Sequence, residues 1–297
     1  MNGAPAQEGG DTSHPHAPML ALDTLWLYVA GTICNLRCTH CFISCAPDNH
    51  SHGMMTLAEA RRHLEDAGAL GVREYYLTGG EPFMNRELLA ILEATLRQGP
   101  ANVLTNGLFL DADTCRALRA IADASEYSLD IRVSLDGWGP EDHDRIRGPG
   151  TFKRAVQGIQ ALGAYHFLPV VTVSEAADGV GGDEGRARLL ELLRSLGLAR
   201  PRVKVLPLWR IGAEPGRARG YEPWERLSPE TVTREGLQAL QCSTGRAVTS
   251  RGVYVCPILI EEADARLGDG LSQALRPFPL AHGACHTCYV TGVTCRT

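Results

Sequence analysis

No stretch of this 297-residue chain approaches the ~20 consecutive apolar residues that cross a bilayer, which argues against a membrane partner. The N-terminus lacks the basic and apolar regions of a signal peptide, so a cytoplasmic location is expected. Basic excess is missing as well. The formal net charge is −5, with acidic and basic residues interspersed, and this excludes a surface built to track a phosphate backbone and hence a nucleic-acid partner. There is no solenoid-type repeat. Between Cys45 and Cys242 the chain has only Cys115; every other cysteine lies toward one of its two ends. A reducing compartment keeps thiols free, so this uneven distribution points to metal or cluster ligation rather than disulfides.

What the sequence does contain is a rhythm. Short β-rich runs at 25–30, 74–77, 102–105, 131–135, 168–174 and 203–206 alternate with helical periodicity at 56–68, 86–97, 111–122, 152–162 and 184–196. The first helix opens with a capping box, Thr56 with Glu59. Successive βα units build a parallel sheet, and six of them curl into an incomplete barrel whose chemistry sits at the C-terminal ends of the strands. The predicted fold class is α/β, a partial (βα)6 TIM-like barrel with a small cysteine-rich α+β appendage. Residues 1–19 are rich in Gly, Pro, Ala and His without apolar periodicity and read as a disordered tail. After about Trp209 the rhythm stops, and a boundary near Glu222 divides the barrel, 20–221, from the appendage, 222–297.

Directly after the first strand, Cys34, Cys38 and Cys41 form a CxxxCxxC loop. A [4Fe-4S] cluster needs soft thiolate ligands, and three of them close together hold three irons and leave the fourth open. An open iron binds the amino and carboxylate groups of S-adenosylmethionine, and one electron then breaks a carbon–sulfur bond to give a 5′-deoxyadenosyl radical. A zinc knuckle would want four ligands. His40 is available, but its adjacency to Cys41 makes that geometry awkward.

The motif, followed by the aromatic Phe42, resembles the radical S-adenosylmethionine superfamily, and the likeness runs from about Thr24 to the C-terminus. Thr78-Gly79-Gly80-Glu81-Pro82 is similar to that family's GGEP segment; the resemblance implies that the glycine backbone and Glu81 receive the methionine amino group. Leu104-Thr105-Asn106-Gly107 resembles its TNG segment. Val133-Ser134-Leu135-Asp136-Gly137 resembles the strand end that contacts the ribose, which brings in Ser134 and Asp136. Farther on, the resemblance implies a basic residue near the cofactor carboxylate. Arg147 or Arg145 would serve, because a guanidinium offers two donors to two oxygens. Val205-Leu206-Pro207-Leu208 with Gly212 resembles the last barrel strand, near the adenine.

The carboxy-terminal cysteines are Cys242, Cys256, Cys285, Cys288 and Cys295. Cys242 and Cys256 flank an expected hairpin around Gly252, and Cys285 with Cys288 forms a CxxC. Four thiolates ligate every corner of a second [4Fe-4S] cluster, although the same count serves a zinc ion. The layout resembles the shortened auxiliary-cluster appendage called a twitch domain, related to the fuller SPASM appendage, and this implies one auxiliary cluster. Cys242, Cys256, Cys285 and Cys288 are the expected ligands with Cys295 spare, or Cys295 replaces Cys242. The spare thiol is a candidate hydrogen donor. Cys45, close to the first motif but outside its spacing, and Cys115, in a helix, read as passive.

Together these readings give a radical enzyme supplied with electrons by a ferredoxin or flavodoxin. The expected reaction is epimerisation or oxidation of a carbinol carbon in a sugar or aminocyclitol, the substrate class of the twitch-type enzymes it resembles in layout. Two alternatives stand beside it: maturation of a ribosomally made peptide by crosslinking or epimerisation, and a noncatalytic iron–sulfur or zinc protein.

Overall fold

The computed structural model describes residues 14–292. A two-residue strand, β1 (His16–Ala17), leads into β2 (Thr24–Tyr28), whose five residues are all buried. Then follow α1 (Leu57–Ala69), β3 (Glu74–Thr78), α2 (Leu88–Thr95), β4 (Ala101–Thr105), α3 (Ala112–Asp123) and β5 (Leu129–Ser134). The next elements are α4 (Pro140–Arg147), α5 (Thr151–Ala164), β6 (Val170–Ser174), α6 (Gly182–Ser195), β7 (Arg202–Leu206) and the short α7 (Glu214–Arg217). The remainder holds α8 (Arg234–Ala239), β8 (Gly245–Thr249), β9 (Gly252–Tyr254), β10 (Arg266–Gly268), β11 (Phe278–Pro279) and α9 (Gly283–Thr291).

The α/β class is borne out: strands β2 to β7 pair in parallel, in sequence order, as successive βα units dictate. Each lies within two residues of an expected run. The Thr56–Glu59 capping box closes at the head of α1, with the Thr56 hydroxyl accepting the Glu59 N–H and Glu59 accepting the Thr56 N–H.

Three differences bear on the site. First, the parallel sheet has a seventh member: β8 pairs in parallel with β2, and β9 and β10 continue the same sheet antiparallel. An incomplete barrel leaves the outer edge of β2 with unpaired backbone groups, and the buried β8 covers them. The sheet therefore runs across the boundary expected near Glu222. Second, α4 was not expected from its polar sequence. Pro140 in its first turn, Glu141 and Asp142 near its start, and Arg145 and Arg147 near its end suit the helix dipole. Third, the stretch read as a tail is ordered from His14 on, with His16 and Ala17 paired to Pro279 and Phe278; residues 1–13 lie outside the described part. Among the described residues no helix is long and apolar enough to cross a membrane.

Candidate active site

Residues 29–56 leave the top of β2 without regular secondary structure, so their backbone groups need other partners. The Asn85 amide donates to the Val29 and Met55 carbonyls at 2.7 and 2.8 Å and pins both ends of the loop. Thr32 accepts the His52 N–H, and the buried His52 ring reaches Thr249 on β8 at 2.9 Å. Within this frame Cys34, Cys38 and Cys41 line one cavity of about 190 Å³ at the C-terminal ends of the strands. Cys45 lines it too, a thiol that the motif spacing did not single out.

Burial pushes the Cys34 thiol up to about 12 and the Cys38 thiol to about 11, and in each case neighbouring thiols add to the rise. Cys41 is held down to about 6, chiefly because it accepts hydrogen bonds from the Cys45 side chain and backbone. Crowded, buried sulfurs repel one another once ionised, and a soft cationic metal centre relieves that cost. The donor set fits a three-thiolate cluster. His40 Nε2 faces Asp136 at 3.2 Å.

Gly79, Gly80, Asn106, Ser134 and Arg147 all line the same cavity. Glu81 and Asp136 do not; both are completely buried behind its wall. Glu81 accepts the Thr105 hydroxyl at 2.7 Å and the backbone N–H groups of Asn106 and Phe83 at 2.8 and 3.2 Å. Its oxygens thus hold the Asn106 segment rather than facing the cavity. Burial pushes its pKa up to about 7. Asp136 accepts the Arg147 Nε–H at 2.6 Å and the Ser174 N–H at 2.7 Å, and Arg147 and His40 help to hold its carboxyl well below the usual range. Arg147 also points an N–H at Cys38 Sγ, 3.9 Å away. Arg145, the other basic candidate, is mostly exposed and faces Asp142 at 3.5 Å.

A second cavity of about 160 Å³ is lined by Cys242, Cys256, Cys285 and Cys288. Cys242 sits in the turn before β8, Cys256 just after β9, and Cys285 and Cys288 three residues apart on α9, so the hairpin and helix converge their thiols. All four thiols are pushed up, Cys256 to about 12, first by burial and, for Cys242, Cys256 and Cys285, next by the other sulfurs of the set. Cys242 lines this second cavity and not the first, and Cys295 lies outside the described residues. None of the nine described cysteines is in a disulfide.

Sequence reading missed Trp209. Its ring lines the first cavity and meets Phe42 edge-on with centroids 5.4 Å apart, while its indole N–H donates to Cys288 Sγ at 3.4 Å. A bulky aromatic just beyond the last barrel strand was the available signal.

The chain resembles known proteins along most of its length. It is 28% identical over 263 residues to the GTP 3′,8-cyclase of Rhodopseudomonas palustris (strain TIE-1), covering 88% of this chain and 71% of that one. Its fold matches Streptococcus suis SuiB bound to S-adenosylmethionine with a TM-score of 0.61 at 15% identity, over 82% of this chain and 62% of SuiB, less than two thirds of that longer protein. Against SuiB bound to its precursor peptide SuiA the TM-score is 0.65 at 14% identity, over 91% of this chain and 72% of that one. The sequence profile of the Radical SAM superfamily matches residues 28–201, and with a partial parallel barrel carrying a CxxxCxxC loop at its mouth, the chain belongs to the radical SAM superfamily.

Proposed function

We propose that this radical SAM enzyme uses Cys34, Cys38 and Cys41 to hold a [4Fe-4S] cluster and Cys242, Cys256, Cys285 and Cys288 to hold a second. The observation that carries the reading is the sorting of these seven thiols into two separate cavities, the first of which Cys45 also lines. When bound, the first cluster and S-adenosylmethionine together supply a 5′-deoxyadenosyl radical.

The chain's own residues bind and orient. Arg147, aligned by Asp136, meets the cofactor carboxylate with a charged donor; Gly79 and Gly80 present backbone to its amino group; Ser134 and Asn106 offer hydroxyl and amide to the nucleoside. Glu81 fixes Asn106 from behind. Thr172 and Ser174 add hydroxyl-bearing side chains to the same cavity, which supports a small hydroxylated substrate, a sugar or aminocyclitol, from which hydrogen is removed at a carbinol carbon. Oxidation and inversion are the two outcomes, and Cys295 is the candidate hydrogen donor for inversion. A ferredoxin or flavodoxin supplies electrons in the cytoplasm.

The test is reductive cleavage of S-adenosylmethionine by reconstituted protein, followed as 5′-deoxyadenosine. Sugars, aminocyclitols, GTP and a precursor peptide are offered in parallel, the last two because the cyclase is named for GTP and SuiB is seen with SuiA. Stimulation and substrate-derived product with a polyol support the reading. Stimulation by the peptide or nucleotide alone overturns the substrate class, and no 5′-deoxyadenosine with any reductant overturns the enzyme reading.

A further inference from the structure

Arg246, on β8, is 1% exposed, yet no carboxylate among the described residues pairs with it. Its guanidinium donates only to backbone carbonyls: Ala274 at 2.8 Å, Cys242 at 2.6 Å, Gly245 at 2.7 Å and Arg276 at 2.9 Å. Carbonyls satisfy N–H groups but leave a buried positive charge without a counter-ion, and such a charge is costly. Its bond to the Cys242 carbonyl places the guanidinium beside the second thiol set, and both Cys242 and Cys256 interact electrostatically with Arg246. At another member of that set, the buried Trp209 aims its N–H at Cys288 Sγ. A centre held by four thiolates is anionic, and becomes more so on reduction. A fixed cation and an N–H···S bond both stabilise the reduced state, since net charge and hydrogen bonds to sulfur set cluster potentials.

We propose that Arg246 and Trp209 are positioning residues that tune the second thiolate site for accepting electrons. The inference rests on the reading that this site holds a redox-active cluster. It would favour oxidation over inversion: a cluster held by Cys242, Cys256, Cys285 and Cys288 would supply a one-electron acceptor for a substrate carbinol radical, whose hydroxyl proton would pass to water as the carbonyl group forms. Inversion needs no such acceptor.

The experiment is an EPR-monitored redox titration of the reconstituted full chain, in which the second centre is the signal that S-adenosylmethionine leaves unchanged. Arg246→Gln and Trp209→Phe should each move its midpoint potential negative by at least a tenfold change in the one-electron equilibrium, ~59 mV. Arg246→Lys keeps the charge and should stay near wild type. Potentials unchanged in Arg246→Gln and Trp209→Phe, or lowered equally in Arg246→Lys and Arg246→Gln, overturn the proposal. Should Arg246→Gln fail to fold, Trp209→Phe and Arg246→Lys decide: a shift in the first without one in the second supports it, and any other pattern counts against it. A wild-type protein with four irons and a zinc ion, and no such signal, overturns the two-cluster reading itself and the tuning role with it.

Discussion

Arg147 and Asp136 meet at 2.6 Å with both side chains largely shielded from water, so neither can lose its partner cheaply. Replacing Arg147 by Gln leaves the buried Asp136 carboxylate with only His40 and the Ser174 N–H as partners, a loss of ~1.5–3 kcal/mol in anaerobic urea unfolding. Weaker S-adenosylmethionine binding should accompany it. His143, on the same helix, accepts the Asp136 backbone N–H at 3.0 Å through Nδ1, and burial pushes its pKa from 6.5 down to about 4. Between those two values the unfolded chain binds a proton that the folded one refuses. The stability due to a neutral His143 is therefore complete above pH 6.5 and is lost as pH falls toward 4, a slope summing to roughly 3 kcal/mol. Because Glu81, raised to about 7, has the opposite slope over much of this range, His143 is read from a difference: unfolding free energy should fall more steeply toward pH 4 in wild type than in His143→Asn, and equal slopes would deny His143 that role. At this scale the sequence exposed the residues whose spacing carries meaning, the cysteines and the glycine pair. It hid Trp209, Arg246 and Cys45, because what matters in them is what they touch.

The loop carrying Cys34, Cys38 and Cys41 is gripped by backbone at both ends. A Cβ on Gly80 would lie 2.0 Å from the Ile33 carbonyl oxygen and 2.8 Å from the Cys34 nitrogen. At the other end Gly212, with φ of +65°, would place a Cβ 2.4 Å from the Cys41 carbonyl oxygen. Gly80→Ala and Gly212→Ala should each lose most of the iron bound at the first site while circular dichroism stays near wild type. Full iron retention in both would show that the loop has slack. The βα elements were legible because a half-buried helix repeats every 3.6 residues and a buried strand is a short apolar run. β8 was harder, since Gly245 and Arg246 interrupt its apolar character. α4 was invisible to periodicity; its end residues suit a helix dipole, but its body is polar.

At the scale of the whole molecule, one sheet joins both sulfur sites. β8 binds the edge of β2, so the turn holding Cys242 is anchored to the strand that launches the Cys34 loop, and Trp209 lines the first cavity while donating to Cys288 of the second set. This continuity was not readable from the sequence, where the change in rhythm near Trp209 looks like the end of one unit and the start of another. The central claim is that three amino-terminal thiols create the reactive centre and four carboxy-terminal thiols create a separate one. Iron, sulfide and 5′-deoxyadenosine should be measured together on wild type, on the Cys34→Ala, Cys38→Ala, Cys41→Ala triple variant and on the variant lacking the four distal thiols. Wild type should hold about eight irons per chain, two [4Fe-4S] clusters. The triple variant should keep about half of that iron and make no 5′-deoxyadenosine, while the distal variant should still make it. Undiminished 5′-deoxyadenosine from the triple variant would contradict the account.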